Sequence, residues 1–140
     1  MMEIIFAGVT AWLIAQLIKF FHDWSMNKKP RIKAFLASGG MPSSHTAMVT
    51  AAAFRVGILE GFNSSGFAII IVFALIVVYD ATGVRRAVGI QAQKLNQLLE
   101  DSYVSHSLDI EKVKEILGHT PMQVLGGAIL GVIVGILWPF

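Results

Sequence analysis

Apolar and polar positions alternate along the chain in long blocks, and four of the blocks are apolar. Residues 4–21 form the first, broken only near its far end by Gln16 and Lys19. At 1.5 Å per residue it is long enough to cross a hydrocarbon core of about 30 Å. Residues 46–59 form the second and open on the small residues Ala47, Ala51, Ala52 and Ala53, which permit close packing against a neighbouring helix. After the turn residues Gly61, Asn63, Ser64, Ser65 and Gly66 comes an unbroken run, 67–79, rich in Ile and Val, which reaches spanning length counted from Gly61. The last block runs uncharged from His119 to Trp138 and carries Gly127, Gly131 and Gly135 at four-residue spacing, a close-packing face within the bundle or between protomers of a homo-oligomer.

Two further segments are helical but not apolar throughout. Val84, Val88, Ala92, Leu95 and Leu99 recur at helical spacing with Gln91, Lys94 and Gln97 between them, which predicts an amphipathic helix at the interface or packed over the bundle. A polar connector with His106, a surface histidine, leads to a short charged helix over 110–117, opened by Ser107 or Asp109 and stopped by Gly118. The pattern as a whole predicts one all-α integral membrane domain, residues 1–140, with about four spanning helices and one or two interfacial ones. Glu3 stands where a signal peptide would be basic, and no small-residue cleavage site follows, so a cleaved leader is not expected.

Composition agrees: the chain is 55% hydrophobic and 14% charged, and its mean hydropathy is +0.67. That is too apolar for an ordinary soluble domain. With no cysteine, neither a disulfide framework nor a thiolate metal site can be proposed. No metal ligand set is evident, no cofactor is expected, and no nucleic-acid partner is indicated. The net charge of +2 matters through its placement. Lys28, Lys29, Arg31 and Lys33 crowd around Pro30, and Arg85, Arg86, Lys94, Lys112 and Lys114 fall on the same side two spans later. The positive-inside bias puts that side in the cytoplasm and both termini outside. Lys19 is at a helix end, where a lysine ordinarily snorkels to the headgroups; otherwise it touches substrate phosphate. Arg55 lies about 15 Å along its helix from His45, too far to share one phosphate, and is expected to snorkel to the opposite interface or pair with Glu60.

Candidate chemistry concentrates in Gly39-Gly40-Met41-Pro42-Ser43-Ser44-His45-Thr46-Ala47. Pro42 suits the first turn of a helix, Ser43 or Ser44 can cap its free amides, and the glycines let backbone approach a ligand. Outward amides backed by the helix dipole make an anion site, and His45 there can move a proton to or from the anion. Phosphate is the first choice. A second histidine, His119, also stands at a helix start, where Thr120 and Gln123 have capping-box spacing and Pro121 fits the first helical position. Asp80, Arg85 and Arg86 flank Gly83 at the mouth of the third span. They are either an interfacial ion-pair cluster or a site where one guanidinium grips phosphate through its planar fork.

Pro42-Ser43-Ser44-His45 resembles the P-S-G-H element of the type 2 phosphatidic acid phosphatase (PAP2) and vanadium haloperoxidase-related superfamily. The wider wording, together with Tyr79 to Arg86, Gln91-Ala92 to Asn96, and Leu117-Gly118-His119-Thr120-Pro121, is similar to its divergent branch of small membrane proteins. The resemblance covers the chain from about Lys19 onward. It implies that His119 is the nucleophile that takes the phosphoryl group, where the superfamily has an acid four residues later that orients the ring; here that position is Gln123. A glutamine carbonyl can accept the ring N–H and fix its tautomer but adds no negative charge, unless Asp80 supplies it. The superfamily also uses basic residues ahead of its P-S-G-H element, which makes Arg31 and then Lys33 candidate phosphate ligands, although the usual lysine six residues before Arg-Pro is absent and Pro30-Arg31 stands reversed. Its third motif has an arginine shortly before the second histidine. Here about thirty residues intervene, so Arg85 or Arg86 would do that work from elsewhere, with Asp80 holding it or touching a histidine.

Taken together, these readings imply a metal-independent lipid-phosphate phosphatase at the cytoplasmic membrane face. His119 is the nucleophile and His45 the acid and base. Ser43, Ser44, Arg31, Lys33, Arg85, Arg86 and Lys19 are the candidate phosphate ligands. Phosphatidylglycerophosphate, made on that face, is favoured over a polyprenyl diphosphate, with phosphatidic acid open. The alternative is a lipid-phosphate-binding or assembly protein that keeps the pocket without catalysis. A channel or transporter subunit fits less well, because its polar groups would run through the bilayer midplane.

Overall fold

A computed structural model describes residues 2–28, 40–103 and 118–139. Among the described residues every regular element is helical: α1 (Met2–Asn27), α2 (Ser44–Glu60), α3 (Ser65–Tyr79), a π-helical turn (Asp80–Val84), α4 (Arg85–Tyr103) and α5 (Pro121–Leu137). The fold is an all-α integral membrane bundle. Met2–Asn27 and the continuous run Ser65–Leu99 are long and apolar enough to cross a bilayer, and Pro121–Leu137 is a shorter apolar helix.

Small residues make the core and large ones the surface. Ala7, Ala11, Ala15, Ala47 and Ala51 are wholly buried, whereas Ile69, Leu75 and Tyr79 are each more than half exposed, at 71%, 63% and 73%. No residue of α3 is buried. In water such an arrangement would waste its best apolar surface; in lipid the tails solvate that surface, and association depends on close backbone approach.

α2 is the central helix. Along α1, Ala7, Ala11, Ala15 and Lys19 repeat every four residues on the face buried against it. The Glu3–Arg55 ion pair at one end and the Lys19–Ser44 hydrogen bond at the other show that α1 and α2 are antiparallel. α5 runs parallel to α2. A Cβ on Gly131 would stand 2.6 Å from the Ala47 carbonyl oxygen, and one on Gly135 would stand 2.7 Å from that of Ala51. Gly127 meets the Ser43 carbonyl in the same way. The glycine face therefore packs inside the bundle, against α2.

Several sequence expectations change. Arg55 neither snorkels nor pairs with Glu60: its side chain is fully buried and bonded to Glu3. Pro42 lies outside the first helical turn, because Ser43 is the cap residue of α2. The third span does not end at Asp80. The chain stays helical through a wide turn, in which the Arg85 amide reaches back to the Asp80 carbonyl, and continues as α4. On α4 the large side chains of the stripe, Val84, Val88 and Leu95, are exposed, which fits a helix at the interface, while Ala92 of the stripe is buried together with Gly89 and Asn96. The expected helix over 110–117, His106, and the basic residues Lys29, Arg31 and Lys33 lie outside the described residues.

Candidate functional site

Two helix starts meet at one end of the bundle. Ser43, wholly buried, caps α2: its Oγ accepts from the Thr46 amide and, at 3.0 Å, from the Thr46 hydroxyl. Its own amide donates to the Gln123 carbonyl oxygen at 2.9 Å, which ties the start of α2 to the first turn of α5. The Ser43 side chain is thus engaged in holding the helix start. Gly40, at φ +93°, lies against the Lys19 stem, where a Cβ would come within 3.2 Å of Cδ. An L-residue would be strained there and would press on that lysine.

Lys19 does not snorkel. It is 6% exposed, and its ammonium donates to Ser44 Oγ at 3.2 Å, beneath the first turn of α2. The Ser44 and His45 amides stand in that turn, where the helix itself supplies no acceptor. A buried ammonium, a helix start and a hydroxyl therefore converge.

His119 enters from the other side. Its backbone amide donates to the Ala81 carbonyl in the π-helical turn at 3.0 Å. Gly118 before it packs on the backbone of Arg85 and Arg86, closer than any side chain allows. His119 is 5% exposed, and its Nδ1 lies 3.3 Å from Gln123 Oε1. The same Oε1 accepts the Thr120 amide at 3.0 Å, completing a capping box with Thr120. That second bond fixes the chemistry: an atom accepting from a backbone N–H is oxygen, so Nδ1 carries the imidazole proton and Nε2 keeps its lone pair. Burial, with Lys19, His45 and Arg85 nearby, pushes the His119 pKa below its ordinary value, against a smaller upward pull from the Gln123 bond. A histidine so placed is neutral near pH 7 with a bare Nε2.

His45, Asp80, Ala81, Arg85 and His119, with Ile76 and Val77, line one cleft of about 240 Å³. Arg85 Nε donates to Asp80 Oδ2 at 2.6 Å, and both side chains are partly exposed. Asp80 therefore holds the arginine, and the neighbour of His119 Nδ1 is Gln123. Arg86, exposed, does not line the cleft. Thr82 hydroxyl donates to the Val78 carbonyl at 2.8 Å beside the widened turn; wide turns of this kind often occur at functional sites. Among the described residues no group of three or more His, Cys, Asp or Glu could hold a metal ion.

Two residues escaped sequence reasoning. Glu3 is the partner of Arg55. Gln16, 4% exposed, is buried one turn from Lys19 and has no hydrogen-bond partner for its Oε1 among the described residues. The signal for an inward Lys19 was present in the four-residue repeat of Ala7, Ala11 and Ala15, which extends to it.

The fold and the site define a small helical membrane protein with paired histidines and cations at one end. The chain belongs to the Divergent PAP2 family, which it matches over residues 2–134. It is also similar to the uncharacterized membrane protein YuiD of Bacillus subtilis (strain 168), 37% identical over 139 residues, or 91% of this chain and 88% of that one. No solved structure matches.

Proposed function

We propose that the chain is a lipid-phosphate phosphatase that works through a phosphohistidine without a metal. One observation carries the reading: His119, with Nδ1 held by Gln123 and Nε2 free, lines the same cleft as His45 and Arg85. Four helices, α1, α2, α3 and α5, cross the bilayer, and the cleft faces the cytoplasm.

In the first step Nε2 of His119 attacks phosphorus, and the bond to the lipid oxygen breaks with its electron pair going to that oxygen. His45 supplies the proton, so a lipid alcohol leaves. Lys19, Arg85, Ser44 and the amides of the first turn of α2 hold the equatorial oxygens, with Arg31 and Lys33 as further candidates from the basic loop. In the second step water attacks phosphorus, His45 accepts its proton, and the N–P bond breaks to release phosphate and neutral His119. Asp80 orients Arg85, Ser43 holds the loop, and Arg86 supports the field from outside the cleft.

The test is phosphate release by the purified protein in mixed micelles with chelator present, using phosphatidylglycerophosphate, phosphatidic acid and a polyprenyl diphosphate. Release that survives chelation and vanishes in His119→Ala supports the mechanism and ranks the substrates. Binding of these lipids with no release from any of them would favour a lipid-phosphate-binding protein, and Gln123, which brings no negative charge to the ring, would be the reason.

A further inference from the structure

Two apolar grooves open beside the candidate site. One, about 380 Å³, lies between α1 and α3 over α2 and is lined by Ile5, Met48, Ala52 and Phe73, with His45 and Val77 at its upper end. The other, about 670 Å³, lies between α1 and α5, with Ile18, Met41, Gln123, Ile129 and Ile133 on its walls. Both open to where lipid would be, and the larger would be the default choice for a hydrocarbon chain.

Chemistry selects the smaller. We infer that the groove between α1 and α3 binds an acyl chain of the lipid whose phosphate occupies the cleft. This rests on the phosphatase reading for its direction. In an in-line displacement the attacking nitrogen and the leaving oxygen are on opposite sides of phosphorus. The leaving oxygen carries the lipid, so the chain departs on the side of the group that protonates it. That group, His45, lines both the cleft and the α1–α3 groove, as does Val77, so the two spaces adjoin at these residues. The larger groove shares no residue with the cleft: it meets the site at Gln123, behind the nucleophile, and at the outer side of the Gly40–Pro42 loop, and it also carries His22 on its wall. Apart from His45, every residue lining the chosen groove is apolar. It follows α2 from His45 to Ala52, about 10 Å of helix, and would hold the part of one chain nearest the headgroup.

The experiment uses the full chain in nanodiscs and a phosphatidic acid carrying a diazirine in its acyl chain. Photolysis followed by mass spectrometry should place adducts on Ile5, Met48 and Phe73. Adducts confined to Ile129 and Ile133, or equal labelling of both grooves, would overturn the inference while leaving the phosphatase reading intact. Adducts in the α1–α3 groove of a protein that releases no phosphate would support the groove and defeat that reading. Where release is seen, Ala52→Phe should lower kcat/KM for a long-chain relative to a short-chain lipid phosphate by about tenfold, and Ile129→Phe should leave the ratio unchanged. An unchanged ratio in Ala52→Phe would also overturn it.

Discussion

Gln123 Oε1 accepts the Thr120 amide at 3.0 Å and lies 3.3 Å from Nδ1 of His119, so one oxygen both caps α5 and sets the tautomer of the imidazole. Gln123→Glu keeps the capping geometry, since glutamate is an ordinary capping-box residue, and adds the charge that the ring lacks. It is expected to raise kcat several-fold and to move the acid limb of the pH profile up by about one unit. Gln123→Ala should slow turnover about tenfold or more and cost about 1 kcal/mol of stability. Steady-state kinetics and thermal unfolding in detergent check both. A slower glutamate variant would count against the assigned role of the ring.

The pH dependence of the wild-type protein has a definite sign. Burial and neighbouring cations lower the His119 pKa, and the proposed mechanism needs this ring unprotonated, so activity should rise as pH climbs through that lowered value. The acid limb of kcat/KM should therefore fall below the ordinary histidine range of about 6.5. A limb above that value would contradict the neutral, desolvated ring.

Lys19 gives a separable test. Its stem packs in the bundle while its ammonium meets Ser44, so Lys19→Met keeps the packing and removes the charge. Loss of a buried, hydrogen-bonded charge from the proposed phosphate site should lower kcat/KM about 100-fold, with thermal stability unchanged or raised because a desolvated charge is gone. A full loss of fold would make Lys19 structural.

At the other end, Arg55 and Glu3 should matter for stability alone. Glu3→Gln removes a charge bonded to the buried guanidinium and is expected to lower stability by about 1–3 kcal/mol, whereas Glu3→Leu combined with Arg55→Met should recover most of it. Specific activity of the folded fraction should not move, since Arg55 stands about 15 Å from His45 along α2. Chemical unfolding in mild detergent separates the two effects.

Gly131→Val should cost at least about 1–3 kcal/mol, because a Cβ there would meet the Ala47 carbonyl and Thr50. Thermal unfolding should show the loss of stability, and light scattering no change in oligomeric state. A change of state with stability preserved would mean that the glycine face also serves an interface between copies.

Much of this was legible in the sequence. Long apolar blocks announce the helices, Ser43 and Thr120 announce two helix starts, and the two histidines sit where the family wording puts them. What could not be read was pairing at a distance. Glu3 and Arg55 are 52 positions apart, and nothing local distinguishes a buried, paired arginine from a snorkelling one. The stripe of α4 marked the helix but not which of its residues are buried, because in lipid the large aliphatic side chains need not be the packed ones. Asp80 looked like a helix end because charge usually marks the interface, yet backbone hydrogen bonding continues through it.

The widened turn at Asp80–Val84 has one last consequence. Relative to an unbroken α-helix it inserts one residue, and each residue turns the chain by about 100°. The wide turn absorbs that residue, so the Arg85 backbone stands where an α-helix would put the residue before it, and from there its guanidinium reaches Asp80 beside the cleft. Nothing lies within 4 Å of where a Gly83 side chain would begin, so Gly83→Ala should be tolerated or stabilising by about 0.5–1 kcal/mol. Deleting Gly83 keeps every other side chain in the chain and makes the Arg85 amide and the Asp80 carbonyl an ordinary α-helical pair, so Arg85 should keep its place and phosphate release should survive the deletion.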